Sequence, residues 1–174
     1  NSINEINLDV SRSSQPLSAW MIASSGLERM IEINRIGNSV SNRHWDLSFR
    51  MCSKYGSKIA IDGSKVKLPP WDVELPEVIE VPKDASMASF ALLACSCLGH
   101  EVEIIGWPNE EDSIGHEILK NKSKELGFSW VGEEIKLTSK SSSIEIDITD
   151  SNDLITPLSV IMAIGGGGVI TGAL

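Results

Sequence analysis

The sequence predicts an α/β fold made of repeated βαβαββ units. Three observations predict it. Strand-like and helix-like segments alternate in a fixed order. The order recurs after roughly 70 residues, as in a chain built from repeats. One helix of each repeat is apolar nearly all round, which marks a helix buried on every side, while the other is amphipathic.

In the first copy, Ile6–Val10 alternates like a strand. Ser14–Ser25 reads as a helix, with Pro16 in its first turn and Gly26 as its stop. Met30–Ile36 is a second strand, and His44–Tyr55 a second helix ended by Gly56. Lys58–Asp62 and Ser64–Leu68 form a hairpin around Asp62-Gly63, a pair suited to positive φ. The second copy opens with strand Val78–Val81 and helix Ser86–Leu98, capped by Asp84 and stopped by Gly99. Strand Val102–Ile105 follows, then helix Ser113–Leu126 between an Asp112 cap and a Gly127 stop. Ser129–Val131 and Glu134–Thr138 are two short strands. A third copy begins with strand Ser143–Ile148 and helix Leu154–Ile164, ended by Gly165. The closing Val169–Leu174 reads as an apolar turn.

The apolar helices carry Leu17, Trp20, Met21 and Ile22, then Phe90, Leu92 and Leu93, then Leu158, Ile161 and Met162. In the amphipathic helix Ile114, Ile118 and Leu119 share a face, and Lys120, Lys122 and Lys124 meet water. The stretch Pro69–Pro76 holds three prolines and reads as a stiff linker or hinge. The organisation is therefore 1–68, a linker at 69–77, and 78–174.

Composition narrows the functional classes. A chain of 174 residues makes one large domain or two small ones. With 41% hydrophobic and 22% charged residues it is globular, neither disordered nor fibrous. No apolar run reaches the ~18 residues that span a bilayer. A net charge of −9 argues against sequence-independent binding to nucleic acid. Three cysteines make no disulfide framework and point to a reducing compartment, the cytoplasm. The start lacks a secretory leader and an initiator Met, so both ends read as cut from something longer.

The apolar helices open with polar groups: Ser13-Ser14-Gln15, Lys83-Asp84-Ala85-Ser86 and Ser151-Asn152-Asp153. Helix N-termini offer N–H groups and a positive dipole end to an anion. The same residue types are also ordinary N-caps.

These starts carry a resemblance. Ser13-Ser14-Gln15-Pro16-Leu17-Ser18-Ala19 resembles the S-S-Q-x-[IL]-[ST]-A stretch of EPSP synthases (3-phosphoshikimate 1-carboxyvinyltransferases). Val40–Ser48 resembles their V-S-[KR]-P-Y-[IV]-D-[IL]-T, and Val81–Phe90 their V-[EP]-[GP]-D-[AW]-S-S-A-[SA]-[YF]. Asn152–Val160 resembles their P-D-L-x-P-x-L-A-V. Four motifs in family order and spacing are specific, and they cover nearly the whole chain, which would be the middle of a full member.

The resemblance implies an inside-out α/β barrel, incomplete here. Residues 1–68 would close the first half, 69–77 cross between halves, and 78–174 open the second. It implies transfer of the enolpyruvyl group of phosphoenolpyruvate to shikimate 3-phosphate, with release of phosphate, in aromatic amino acid biosynthesis. By resemblance Ser13, Ser14 and Gln15 hold shikimate 3-phosphate, Ser41 contacts its phosphate, and His44 lies against the substrate ring. Asp153 binds the attacking hydroxyl and helps remove its proton. No metal or organic cofactor is implied, and the partners are the two small substrates, with neither nucleic acid nor membrane. The parent is expected to be monomeric, and the segment to self-associate through exposed apolar faces.

The chain departs from the pattern at His44 (usually Tyr), Arg43 (Pro), Asn152 (Pro), Met87 (Ser) and Glu110-Glu111-Asp112 (Q-G-D). Arg43 either makes a phosphate contact or is a solvated cation. The family's Lys-Ser opening loop, N-G-T-x-x-R and K-E-[ST]-D-R segments are absent. Five arginines on a −9 chain are too few to clamp two polyanions, so this segment alone is expected to be inactive. The rival readings are a UDP-N-acetylglucosamine enolpyruvyl transferase relative and a non-catalytic scaffold or ligand-binding relative. Cys95 and Cys97 read as small buried core residues and His100 and His116 as surface or capping residues. Gly165–Gly168 reads as a helix end and turn, without the Lys-Ser/Thr of a P-loop.

Overall fold

The computed structural model describes residues 4–100, 104, 106–107, 114–131 and 134–173. It is a mixed α/β chain that divides into two compact units, Asn1–Glu80 and Val81–Leu174.

The first unit holds strands β1 (Glu5–Asp9), β2 (Ile31–Ile36), β3 (Ala60–Asp62) and β4 (Lys65–Leu68), and helices α1 (Gln15–Ala23) and α2 (Asn42–Lys54). Its sheet has the order β1-β2-β4-β3. β1 and β2 are parallel, joined across α1, with Glu5 opposite Glu32 and Asp9 opposite Ile36. β4 is antiparallel to both β2 and β3. The period-two pattern sends Ile31, Ile33, Val66 and Leu68 inward. On the other face Lys65 Nζ meets Glu32 Oε1 at 2.7 Å. The bond from Lys65 lowers the Glu32 carboxyl and raises the Lys65 ammonium. α1 presses Leu17 and Met21, one turn apart, into the core, each burial worth about 1.5–3 kcal/mol.

The proline-rich stretch folds back onto this unit. Trp71 packs against its core, and the indole Nε1–H donates to Ser24 Oγ at 2.9 Å. Glu74 N–H donates to Tyr55 O at 2.9 Å. Trp71→Phe keeps most of the ring and loses the bond. It is expected to cost about 1 kcal/mol, read from urea unfolding.

The second unit holds helices α3 (Ala85–Leu98), α4 (His116–Asn121) and α5 (Ile155–Ile164), and strands β5 (Phe128–Val131), β6 (Glu134–Leu137), β7 (Ile144–Asp147) and β8 (Gly168–Thr171). β5 and β6 form an antiparallel hairpin; β7 and β8 are parallel, joined across α5. α3 and α5 pack together over Leu92, Leu119, Ile146, Leu154, Leu158 and Ile161. Asp84 caps α3, accepting from Ser86 N–H at 2.8 Å, and Gly99 ends it in the left-handed region.

The first and third of the expected copies correspond in detail. At the end of β1, Ser11 N–H donates to Asp9 Oδ1 at 2.8 Å; at the end of β7, Thr149 N–H donates to Asp147 Oδ1, also at 2.8 Å. A glycine with positive φ follows the partner strand in each module, Gly37 after β2 and Gly172 after β8. Each lies so close to its Asp-x-Ser/Thr turn that a Cβ would crowd it. Both carboxyls are lowered, first by the side-chain hydroxyl of Ser11 or Thr149 and then by its backbone N–H. A lowered native value adds stability above the unfolded value and loses it as pH falls through the native one. Asp147→Asn is therefore expected to flatten the acid limb of the Tm–pH curve. An unchanged limb would show that the turn does not contribute.

Several expectations are corrected. Val78–Val81 is not a strand: Val78 and Val81 are 80% and 82% exposed. Prolines at 76 and 82 bracket it, and Pro82 has no N–H to give a ladder. Of Val102–Ile105 only Ile104 is described, and it is not in a strand; the Asp112 cap and Glu110–Asp112 lie outside the described residues. The helix expected at Ser113–Leu126 is short. Gly115, at φ 86, opens it at His116, and turns replace helix after Asn121 in a run of Lys, Asn and Ser. The chain's end is not a turn, because Val169, Ile170 and Thr171, all β-branched, form β8. The apolar helices are not buried on every side: Ile22 of α1 is 60% exposed and Phe90 of α3 43%, since each packs on one flank only within its unit. His116 is buried (7% exposed), and its Nδ1 accepts from Trp107 Nε1–H at 2.9 Å, satisfying an indole that stacks edge-on to Trp130.

Candidate functional site

Five of the six expected site residues lie in the first unit, at the starts of α1 and α2. Ser14 is the N-cap of α1 and is 1% exposed. Its hydroxyl does not cap the helix. Ser14 Oγ donates across to Ser41 O at 3.0 Å, which joins the two helix starts. Ser41 O also accepts His44 N–H at 3.1 Å, one turn into α2. Ser41 itself has φ 53 and ψ 46 and is the one non-glycine residue with positive φ among the described residues. That conformation costs an L-residue about 1–2 kcal/mol, so its surroundings must hold it.

The amides at the start of α1 are already used. Gln15 N–H donates to Ser13 Oγ at 3.2 Å, Pro16 has none, and Leu17 and Ser18 N–H both donate to Ser14 O. The expected anion cradle of unpaired N–H groups is therefore absent at this helix, because the local turn satisfies them. What α1 can offer is side chains: Gln15, which is exposed, and half-buried Ser13, whose hydroxyl hydrogen remains to donate.

Around this junction Trp45 Nε1–H donates to Asn42 Oδ1 at 3.1 Å, and the Arg35 guanidinium lies 5.0 Å over the Trp45 ring. Arg35 also donates to Gly63 O, and Arg50 pairs with Asp46 at 3.0 Å. Both cations are thus engaged in structure. Two hydroxyls that the motif reading passed over, Ser18 and Ser39, have buried Oγ atoms with no hydrogen-bond partner among the described residues. The signal for Ser18 was available: it follows Ser14 by four, one helical turn on the same face.

Asp153 belongs to the second unit. It lies exposed in a 3₁₀ turn, Asn152–Leu154, that leads into α5. Buried Leu154 anchors that turn in the core. The Asn152 amide, oriented to satisfy both partners, donates to Ile148 O at 2.8 Å and Gly172 O at 3.0 Å. Asn at this position thus ties the helix start to both neighbouring strands.

The discounted residues do other work. Cys95 is buried, with its thiol raised by burial, whereas Cys97 is exposed and so is not the core residue expected; two positions apart on a helix face opposite ways. Gly165–Gly168 is a site of close approach: Gly166 N–H donates to Ser141 O at 2.7 Å, and Gly168 pairs with Ile144.

The fold and these helix starts define a mixed α/β chain in which two modules, β1-α1-β2 and β7-α5-β8, each open a helix with a polar side chain tied to a neighbouring loop. The chain belongs to the family of EPSP synthase (3-phosphoshikimate 1-carboxyvinyltransferase), whose sequence model matches residues 1–172. It is 30% identical over 169 residues to the 3-phosphoshikimate 1-carboxyvinyltransferase of Methanothrix thermoacetophila, covering 94% of this chain and 39% of that protein. The protein of the same name from Korarchaeum cryptofilum is 26% identical over 165 residues, 91% of this chain and 37% of its own length. That of Methanosarcina mazei is 27% identical over 175 residues, 94% and 40%. The chain thus spans about two-fifths of the curated relatives it matches. Among the described residues no helix is long and apolar enough to cross a membrane.

Proposed function

We propose that this chain is part of an enzyme that transfers the enolpyruvyl group of phosphoenolpyruvate to shikimate 3-phosphate. Protonation of the enol methylene, attack by the substrate hydroxyl and elimination of phosphate from the tetrahedral adduct complete the reaction. The observation that supports this best is the bond between Ser14 and Ser41, since it joins two of the four family motifs into one polar cluster. In this reading Ser13, Ser14, Gln15 and Ser41 form the shikimate 3-phosphate cluster, and His44 faces the ring. Asp153 accepts the hydrogen bond of the attacking hydroxyl and takes its proton. The chemistry uses no metal or organic cofactor.

Residues 1–68 then end one half of the parent's barrel, 69–77 form the crossing, and 78–174 begin the other half. The open apolar flanks of α1 and α3 fit this, because further repeats of the parent would cover them. Arg35 and Arg50, two of the five arginines, are engaged elsewhere, which leaves few arginines for two phosphorylated substrates. The purified 174-residue chain is expected to give no turnover, and detectable product would overturn that.

The binding test is a fluorescence titration of shikimate 3-phosphate and, separately, UDP-N-acetylglucosamine, with Trp45→Phe as control. Shikimate 3-phosphate alone should change the signal, and the control should lose the change. No change at millimolar shikimate 3-phosphate would remove the site.

A further inference from the structure

We propose that Asn152 is a positioning residue for Asp153, a role that rests on the function proposed above. Asn152 opens the 3₁₀ turn Asn152–Leu154, and Asp153 is the next residue along. The side-chain amide has two hydrogens to give, and both are used: one on Ile148 O at 2.8 Å, the other on Gly172 O at 3.0 Å. These two carbonyls lie just past the carboxyl ends of β7 and β8, which run parallel. Ile148 N–H donates to Thr171 O at 2.9 Å, and the Asn152 amide adds a bridge one step further out. Asn152 thus clamps the two strand ends together. In open α/β sheets a bound molecule lies outside the carboxyl ends of the strands, and that is where Asp153 stands.

Both acceptors of the clamp are themselves held. Gly172 has φ 77, and a Cβ there would crowd Thr149 Oγ1 and Asp147 Oδ1, so its backbone sits tight against the Asp147–Thr149 turn. Ile148 is fully buried, and its carbonyl also accepts Ser151 N–H at 2.8 Å. Leu154, buried in the core, closes the turn from the other side, its N–H donating to Ser151 O at 3.0 Å. Asp153 therefore lies between two fixed neighbours while it is itself exposed. The family pattern has proline where this chain has Asn152. Proline stiffens a turn through its ring and has no hydrogen to donate. Here hydrogen bonds do the holding, so the direction of the Asp153 carboxylate depends on a side chain that can be changed without touching it. A displacement of about 1 Å at a reacting group can cost about 10²-fold in rate.

The test is a double-mutant cycle in the full-length parent. Asn152→Leu, near in size and without a donor, is expected to lower kcat about 10²-fold and leave KM within a few-fold. In an Asp153→Asn background the same change should cost less than about threefold, because two changes that act through one carboxylate do not add. Equal losses in both backgrounds would mean that Asn152 only supports the fold, and would overturn the proposal. So would a parental kcat in Asn152→Leu. Asn152→Ser, which keeps one donor, serves should the leucine variant fold poorly; its loss should be about tenfold, the scale of one hydrogen bond, and should vanish in the same background. The second arm is proton exchange in the 174-residue chain. Both side-chain amide protons of Asn152 should exchange with water about tenfold more slowly than those of exposed Asn121. Equal rates would show that the clamp does not exist. If Asp153→Asn alone keeps the parental kcat, the base assigned above fails and the positioning role fails with it. A damaging Asp153→Asn with equal Asn152 losses rejects the positioning role alone.

Discussion

Asp153→Asn, made in the full-length parent, is expected to lower kcat by about 10²–10⁴-fold, the range of a lost general base. Asparagine has nearly the shape of aspartate and still accepts a hydrogen bond through its carbonyl. It cannot take a proton from the attacking hydroxyl. Binding should therefore survive, with shikimate 3-phosphate affinity within a few-fold, and the loss should fall on kcat rather than KM. The backbone here is independently anchored, by Leu154 in the core and by the Asn152 amide on Gly172 and Ile148. The substitution should thus leave folding alone. A kcat within about threefold of the parent, far short of what loss of a base produces, would remove Asp153 from the chemistry.

Gly168→Ala is expected to destabilise the second unit by about 3–5 kcal/mol, enough to unfold a marginal domain. A Cβ at Gly168 would overlap Ile144 O and lie 2.8 Å from Ile144 N and from Met162 Cε. Two of these three atoms are backbone of the paired strand β7, which cannot yield without breaking the ladder. The residue also has φ 138, which alanine rarely adopts. Gly167→Ala is the control: it has φ 75 with nothing within 4 Å, and should cost only about 1–2 kcal/mol. Urea unfolding of the two variants measures the difference. Equal midpoints would show that β8 does not need the close approach.

Most of the first unit was legible because its signals are local. Pro16 opening a helix, Asp62-Gly63 turning a hairpin and alternating Ile31 and Ile33 depend only on near neighbours. The same holds for the Asp84 cap and the Gly99 stop of α3. What misled was apolar composition read without context. Val78–Val81 has strand residues but no partner among the described residues, and Ile22 and Phe90 have apolar neighbours on one flank only. His116 could not be read as buried, since its reason is an indole nine residues away. The motif residues at the helix starts were found, but the bond that joins Ser14 to Ser41 spans 27 residues and has no signature in either motif.

By itself the sequence determined the mixed α/β class and the family, because period, turn residues and motif order are written along the chain. Only the tertiary structure decided how the helix-start amides are spent, which hydroxyl is committed and which backbone is strained. The reason is that a hydrogen bond is a choice among acceptors brought near by folding. The chain lists the donors, and the packing of α1 against α2 selects the partner.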